Sequence, residues 1–259
     1  MNLTKISLLL FLFSCDFTSG LHKSILRAQD YIKEQEYLKA VDEYEDILKG
    51  KPSDNLKIKI HFQLGEIYSI YLNQTKKALD NFQKVIELAD VPSWQVKSLE
   101  KVAEINFEFT QDFQASAKAY KTLIDFIPKL EKQDFYSFRY AQAIQNMRKY
   151  EDSIKLFEEM KNKTTHEFHV KSYYEIGLSY FYMKNWKQAI AYWKDYIVRE
   201  KNKNDIVMTK FLMANAYETN EELKKAYNIY YSILNDFPNP DVIKNRLESL
   251  YARRVARKR

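Results

Sequence analysis

The sequence predicts an all-α fold: a solenoid of about six helical hairpins followed by a C-terminal capping helix. Three observations carry this. First, a pattern of small and aromatic residues recurs six times. Its leading small residues, Ala28, Gly65, Ala103, Ala141, Gly177 and Ala214, stand 37, 38, 38, 36 and 37 residues apart. A fixed period in this range marks stacked repeats, each of which buries its apolar face only against its neighbours. Second, the 259 residues include four glycines and five prolines, too few for the many turns of a β-sandwich or barrel. Third, hydrophobic residues make up 46% of the chain, with 16 Phe and 20 Tyr, which excludes a disordered polymer.

The N-terminus comes first in chain order. Residues 1–14 read MNLTKISLLLFLFS, with one cation, Lys5, ahead of the apolar run Leu8 to Phe13. This run falls well short of the roughly 20 apolar residues that span a bilayer and has the length of a signal-peptide core. It ends in Leu12-Phe13-Ser14-Cys15, and Cys15 is the chain's single cysteine. An internal disulfide and a cysteine zinc site are thereby excluded. The arrangement resembles a bacterial lipobox, with Leu at −3, a small residue at −1 and then the cysteine. The resemblance implies a diacylglyceryl group on Cys15 and, after cleavage, an amide-linked acyl chain, which together anchor stably where one chain does not. The expected organisation is a signal peptide over 1–14 and a lipidated cysteine with a short tether over 15–20. The protein would then face the periplasm from a membrane of the cell envelope. Asp16 resembles the inner-membrane retention signal of enteric lipoproteins, and the choice of membrane stays open. The alternatives are an ordinary secretory signal with a chance cysteine, or a buried apolar helix.

Residues 21–240 hold the repeats. The copies are Ala28, Tyr31, Ala40, Tyr44; Gly65, Tyr68, Ala78, Phe82; Ala103, Asn106, Ser116, Tyr120; Ala141, Ile144, Ser153, Phe157; Gly177, Tyr180, Ala189, Trp193; and Ala214, Tyr217, Ala226, Tyr230. Residues three and four apart share a helix face, so each copy predicts two apolar-striped helices. The small residues belong where the two helices cross, and they permit the close end of the usual spacing of about 8–10 Å. Pro52, Pro92, Pro128, Pro238 and Pro240 follow the second helices, where a helix must stop, and none falls inside a predicted helix.

These residues resemble the tetratricopeptide repeat. The closest copies are Tyr173, Ile176, Gly177, Tyr180, Ala189, Trp193 and then Ala214, Tyr217, Ala226, Tyr230, Pro238. The resemblance covers 21–240 and implies stacked hairpins that bind other proteins. Two departures are visible. The period exceeds the family's usual one, and the family's small residue near the end of the second helix is replaced by Ile47, Val85, Leu123, Met160, Tyr196 and Ile233. In layout the chain is similar to the repeat lipoproteins of outer-membrane β-barrel assembly and of type IV pilus secretin assembly.

Residues 241–259 predict a last helix, striped by Ile243, Leu247 and Leu250, that caps the array. The net charge is +6, of which Lys5 supplies one and the tail Arg253, Arg254, Arg257, Lys258, Arg259 supplies five, so residues 15–250 are formally neutral. A nucleic-acid-binding solenoid would carry its cations along the groove, so that class is excluded. The tail is either a solvated helix end favoured by the macrodipole or a contact for anionic lipid or an acidic partner.

No chemistry is legible. The glycines are too far apart for a phosphate-binding loop, and no Gly-x-Ser-x-Gly occurs. His166-Glu167-Phe168-His169 is the one histidine cluster, and a solvated loop is the expectation there rather than a metal site. The expected function is a lipid-anchored scaffold, with no catalytic residue, cofactor, metal or small-molecule substrate. Its partner would be another envelope protein or a peptide segment. The rival readings are an accessory subunit of an envelope enzyme and a cytosolic co-chaperone that clamps a C-terminal carboxylate. In the fold the resemblance implies, the first helices line the concave side, which places Phe138, Gln142 and Gln145, Tyr174, Leu178 and Phe181, and Phe211, Asn215 and Glu218 along it. These residues are either a partner-binding groove or packing between neighbouring hairpins.

Overall fold

The computed structural model describes the backbone of residues 7–256 and the side chains of residues 20–256. Among the described residues there are thirteen α-helices and no strand. They form two compact units that divide after Leu123.

The first unit holds three hairpins: α1 (Ser7–Lys33) with α2 (Tyr37–Lys49), α3 (Asp54–Glu66) with α4 (Thr75–Leu88), and α5 (Pro92–Glu108) with α6 (Phe113–Ile124). α3 runs on into a π-helical turn, Ile67–Tyr71. The second unit holds α7 (Gln133–Asn146) with α8 (Tyr150–Asn162), α9 (His169–Tyr182) with α10 (Trp186–Arg199), and α11 (Lys203–Thr219) with α12 (Leu223–Ile233). The last helix, α13 (Pro240–Ala256), packs on α12 and buries Ile243, Leu247 and Leu250, the predicted stripe.

Each hairpin closes on its predicted small residues. Ala28 and Ala40, Ala103 and Ser116, Ala141 and Ser153, and Ala214 and Ala226 are all fully buried. The aromatic four residues on, Tyr44, Phe82, Tyr120, Phe157, Trp193 or Tyr230, is buried beside the crossing. Glycine is required at two crossings. A Cβ on Gly177 would stand 2.5 Å from Trp193 Nε1, and one on Gly65 2.7 Å from the Phe82 ring, both inside van der Waals contact. The bare backbone of α9 lets the indole lie flat enough for its Nε1 to donate to the Tyr174 carbonyl at 3.1 Å. The bulky residues near the second-helix ends, Ile47, Val85, Leu123, Met160, Tyr196 and Ile233, are all buried, so they are core.

The turns inside the hairpins share a device that residue types do not announce. Gln35, Asn73, Gln111, Arg148, Lys184 and Glu221 each stand at positive φ, between 50° and 62°, two residues before a second helix. Left-handed backbone at a helix C-terminus is ordinarily glycine's place. The hydrogen bonds explain why other residues serve. Asn185 N–H donates to the Tyr180 carbonyl at 2.8 Å and Lys184 N–H to that of Phe181 at 2.9 Å. The pair recurs as Lys149 to Ile144 with Arg148 to Gln145, and as Glu222 to Tyr217 with Glu221 to Glu218. This double bond pattern satisfies the last carbonyls of the first helix. The prolines all lie between hairpins or ahead of the cap, as expected, but Pro92 and Pro240 each form the first residue of a helix, where a missing N–H costs nothing.

Candidate functional site

In the second unit the first helices of three successive hairpins converge on a cleft of about 260 Å³. α7 supplies Phe138 and Gln142, α9 supplies Lys171, Tyr174 and Glu175, α10 supplies Tyr196, and α11 supplies Asp205, Met208 and Thr209. At its base lies a carboxyl group, Glu175, with only 7% of the residue exposed. Gln142 Nε2 donates to Glu175 Oε1 at 2.8 Å, and the carboxyl also feels the Gln145 side chain and the charges of Lys171 and Arg139. Gln145 Nε2 donates to the Glu175 carbonyl at 3.0 Å and to Ser179 Oγ at 2.9 Å, and Ser179 Oγ lies 3.1 Å from Ser153 Oγ on α8. This buried ladder fixes α7 and α8 against α9 and sets the position of Glu175.

Burial pushes the Glu175 carboxyl above the usual carboxylate range, against the hydrogen bonds of Gln142 and Gln145 and the charges of Lys171 and Arg139. Tyr174 is pushed up to about 12, chiefly by burial and then by the Glu175 charge. Burial also raises Tyr196, as does its hydrogen bond with Glu200. The Tyr174 and Tyr196 rings stand 5.4 Å apart at 53° and form one wall.

The residues predicted for the groove separate into two groups. Phe138, Gln142 and Tyr174 meet at the cleft, where Phe138 is buried and stacks on Phe168 at 4.5 Å. The others turn into helix packing. Phe181 lies edge-on to Trp186 at 5.0 Å and tilted to Trp193 at 5.5 Å. Phe211 stacks on Phe237 at 4.8 Å, and Leu178 is half-buried in the same core. Asn215 accepts a hydrogen bond from the Tyr230 hydroxyl, and Glu218 pairs with Arg253 at 2.8 Å. Sequence reasoning missed Glu175, Lys171, Tyr196, Asp205, Met208 and Thr209. One signal pointed to Glu175: it is the one carboxylate in the fourteen residues of α9.

The first unit has a cleft of about 460 Å³ between α2, α3, the π turn and α4. Its polar groups close on one another. His61 Nδ1 lies 2.8 Å from Asn81 Oδ1, Asn81 Nδ2 donates to the Lys77 carbonyl at 2.8 Å, and Tyr68 donates to Glu45 at 3.0 Å. The Lys77 ammonium sits 5.0 Å from the Tyr68 ring centroid. Burial lowers the His61 pKa, helped by Lys84 and Lys57 and opposed by the Asn81 bond.

One expectation is corrected. The segment around His166 is not a solvated loop throughout: His166 is buried, its ring 6.2 Å from that of Phe168, with Nδ1 accepting from the Phe168 N–H at 3.2 Å. The apolar Phe168 draws the imidazole inward, and burial lowers its pKa. Among the described residues no group of three His, Cys, Asp or Glu is placed to hold a metal, and no helix is long and apolar enough to cross a membrane. In the basic tail, Arg253 bonds Glu218 and Glu221, and the Arg254 guanidinium lies 5.5 Å from the Tyr227 ring centroid. The tail residues Arg257, Lys258 and Arg259 lie outside the described residues, as does the side chain of the predicted lipidation site, Cys15.

Residues 171–202, which cover most of α9 and all of α10, match the tetratricopeptide repeat. The solved structure of PilW, a widely conserved type IV pilus biogenesis factor, superposes with a TM-score of 0.55 at 15% identity, covering 90% of this chain and 98% of that one. MamA gives 0.52 at 17% identity over 70% of this chain and 91% of its own. A signal-transduction ATPase with a tetratricopeptide repeat sensor, PH0952 of Pyrococcus horikoshii, gives 0.61 at 16% identity over 90% of this chain but 39% of its own. No curated protein matches the sequence. At these identities the likeness is one of fold, and the fold is a helical solenoid of tetratricopeptide type.

Proposed function

We propose that this chain is a lipid-anchored, non-catalytic scaffold of a bacterial cell envelope. It binds a segment of another protein along α7, α9 and α11 and holds that protein at the membrane through Cys15. The observation that carries the reading is the cleft itself, where three first helices bring aromatic side chains and a buried carboxyl to one place. Aromatic anchors over a few fixed polar groups are the usual chemistry of segment recognition. The lipobox-like Leu12 to Cys15 supports the anchor. The likeness to PilW, a pilus biogenesis factor, supports a role in envelope assembly. A carboxylate clamp is disfavoured here, because Glu175 and Asp205 would repel a C-terminal carboxylate.

The test is crosslinking in membranes followed by capture of the chain. A partner is expected with the wild type, and capture should fall more than tenfold with Tyr174→Ala while the variant still melts cooperatively. Undiminished capture would remove the cleft from the reading. Cys15→Ser should release the chain from the membrane pellet. A variant that still sediments and resists a salt wash would overturn the anchor.

A further inference from the structure

We infer that the outer face of α12 and α13, together with the basic residues that follow it, is a docking surface for anionic phospholipid headgroups. The inference rests on the lipid-anchored reading for its location and adds a second membrane contact to it.

Charge is the first argument. Residues 15–250 are formally neutral, and the positive excess falls on Arg253, Arg254, Arg257, Lys258 and Arg259. The structure separates the two of these that it describes. Arg253 is occupied within the fold: its guanidinium lies 2.8 Å from Glu218 and 3.0 Å from Glu221. Arg254 turns instead to α12, with its guanidinium 5.5 Å from the Tyr227 ring centroid, and no carboxylate pairs with it among the described residues. Lys224, two turns before Tyr231 on the same face of α12, is exposed. Glu248 lies on the outer face of α13 and offsets one charge.

The apolar groups beside these cations are the second argument. Tyr231 is 65% exposed and stacks on Tyr227 with ring centroids 6.4 Å apart. On α13 the buried stripe is Ile243, Leu247 and Leu250, and Arg253 holds the flank toward α11. Helical spacing therefore puts Tyr251 and Val255, one turn apart, on the opposite flank. Both are exposed there, Tyr251 at 63%. The macrodipole accounts for cations in the last turn of a helix, but not for tyrosine and valine left in water among them. A bilayer surface accounts for both. Tyrosine suits the headgroup level, where the ring is covered and the hydroxyl stays wet, and basic side chains meet anionic phosphate there. An acidic protein segment is the competing occupant. It would be seated by a groove, and none of these side chains lines either cleft.

The experiment is flotation of the full chain carrying Cys15→Ser, which has no acyl chain, with vesicles of phosphatidylcholine alone or mixed with phosphatidylglycerol. Residues 8–13 contribute equally to every variant. Binding to the anionic vesicles should exceed that to the neutral ones and fall steeply as salt screens the charges. Arg257→Gln with Lys258→Gln and Arg259→Gln should bind the anionic vesicles at least about thirtyfold more weakly. Lys149→Gln with Lys155→Gln and Lys187→Gln removes the same charge from exposed positions elsewhere in the second unit and should weaken binding less than about threefold. Tyr231→Ser with Tyr251→Ser should weaken it about fivefold at unchanged melting temperature. Equal losses in the two lysine and arginine triples, or full binding by the tyrosine pair, overturns the docking surface. So does tail-dependent binding of polyglutamate without binding to anionic vesicles, which assigns the face to an acidic protein. If the vesicle test fails while Cys15→Ser still releases the chain from membranes in cells, the surface is removed and the anchor stands. If the wild-type chain carries no acyl group while the vesicle test succeeds, the anchor is removed and the surface stands.

Discussion

The two clefts are built from the same repeat and hold different polar groups. In the first unit the wall of α2 and α4 meets α3, and His61, Asn81, Tyr68 and Glu45 bond among themselves. In the second unit the first helices α7, α9 and α11 converge, and the Glu175 carboxyl at their base is held by the Gln142 and Gln145 side chains of the preceding hairpin. A cavity is thus a poor guide to a site by itself, because the larger of the two is already satisfied. What sets the smaller cleft apart is an ionisable carboxyl carried into the interior, whose pKa burial raises against the bonds of Gln142 and Gln145.

The largest expected effect tests the crossings on which both clefts rest. Gly177→Ala should cost about 2 kcal/mol in chemical denaturation, because overpacking of up to about 3 kcal/mol exceeds the roughly 1 kcal/mol that alanine returns in a helix. The Cβ would meet the Trp193 indole at 2.5 Å and displace its bond to Tyr174. Gly65→Ala should cost less, about 1 kcal/mol, because the Phe82 ring has no such bond to lose. An equal cost at both sites would remove the special role of the indole.

Acid and base should separate the units next. The His61 pKa is lowered from 6.5, so the unfolded chain binds more protons as pH falls. The stability that neutral His61 provides is complete above about pH 7 and is lost on acidification. The Glu175 pKa is raised from 4.5, so its stabilisation is complete below that value and is lost as pH rises through the raised one. His61→Gln should flatten the acid side of the stability profile, where His166 also acts. Glu175→Gln should flatten the alkaline side and melt above the wild type by a gap that widens with pH. Parallel profiles for Glu175→Gln and the wild type would contradict its burial as a carboxyl.

The smallest effect belongs to a feature the units share. Lys184→Gly in the second unit and Gln111→Gly in the first should each stabilise by about 0.5–1 kcal/mol, by relieving left-handed backbone. A loss at either position would show that its side chain contributes more than its backbone strain costs.

The sequence by itself determined the six hairpins and the cap. Their cause is local: a small residue, an aromatic and a period of 36 to 38 dictate which faces meet, and Ala28 to Ala226 lie buried where that pattern puts them. Of the nine residues predicted for the groove, Phe138, Gln142 and Tyr174 were legible to the same degree, because helix spacing alone sets their face. Phe181 and Phe211 share that face but are drawn into Trp186, Trp193 and Phe237, since a large ring takes whatever apolar surface lies within reach. Only the tertiary structure decided that Glu175 is buried, that His166 turns inward and that non-glycine residues hold the left-handed turns. The donor to Glu175 comes from Gln142, 33 residues earlier, and Asp205 approaches from the next hairpin. The free energy of a charge depends on which distant groups surround it, and no pattern within a single helix records them.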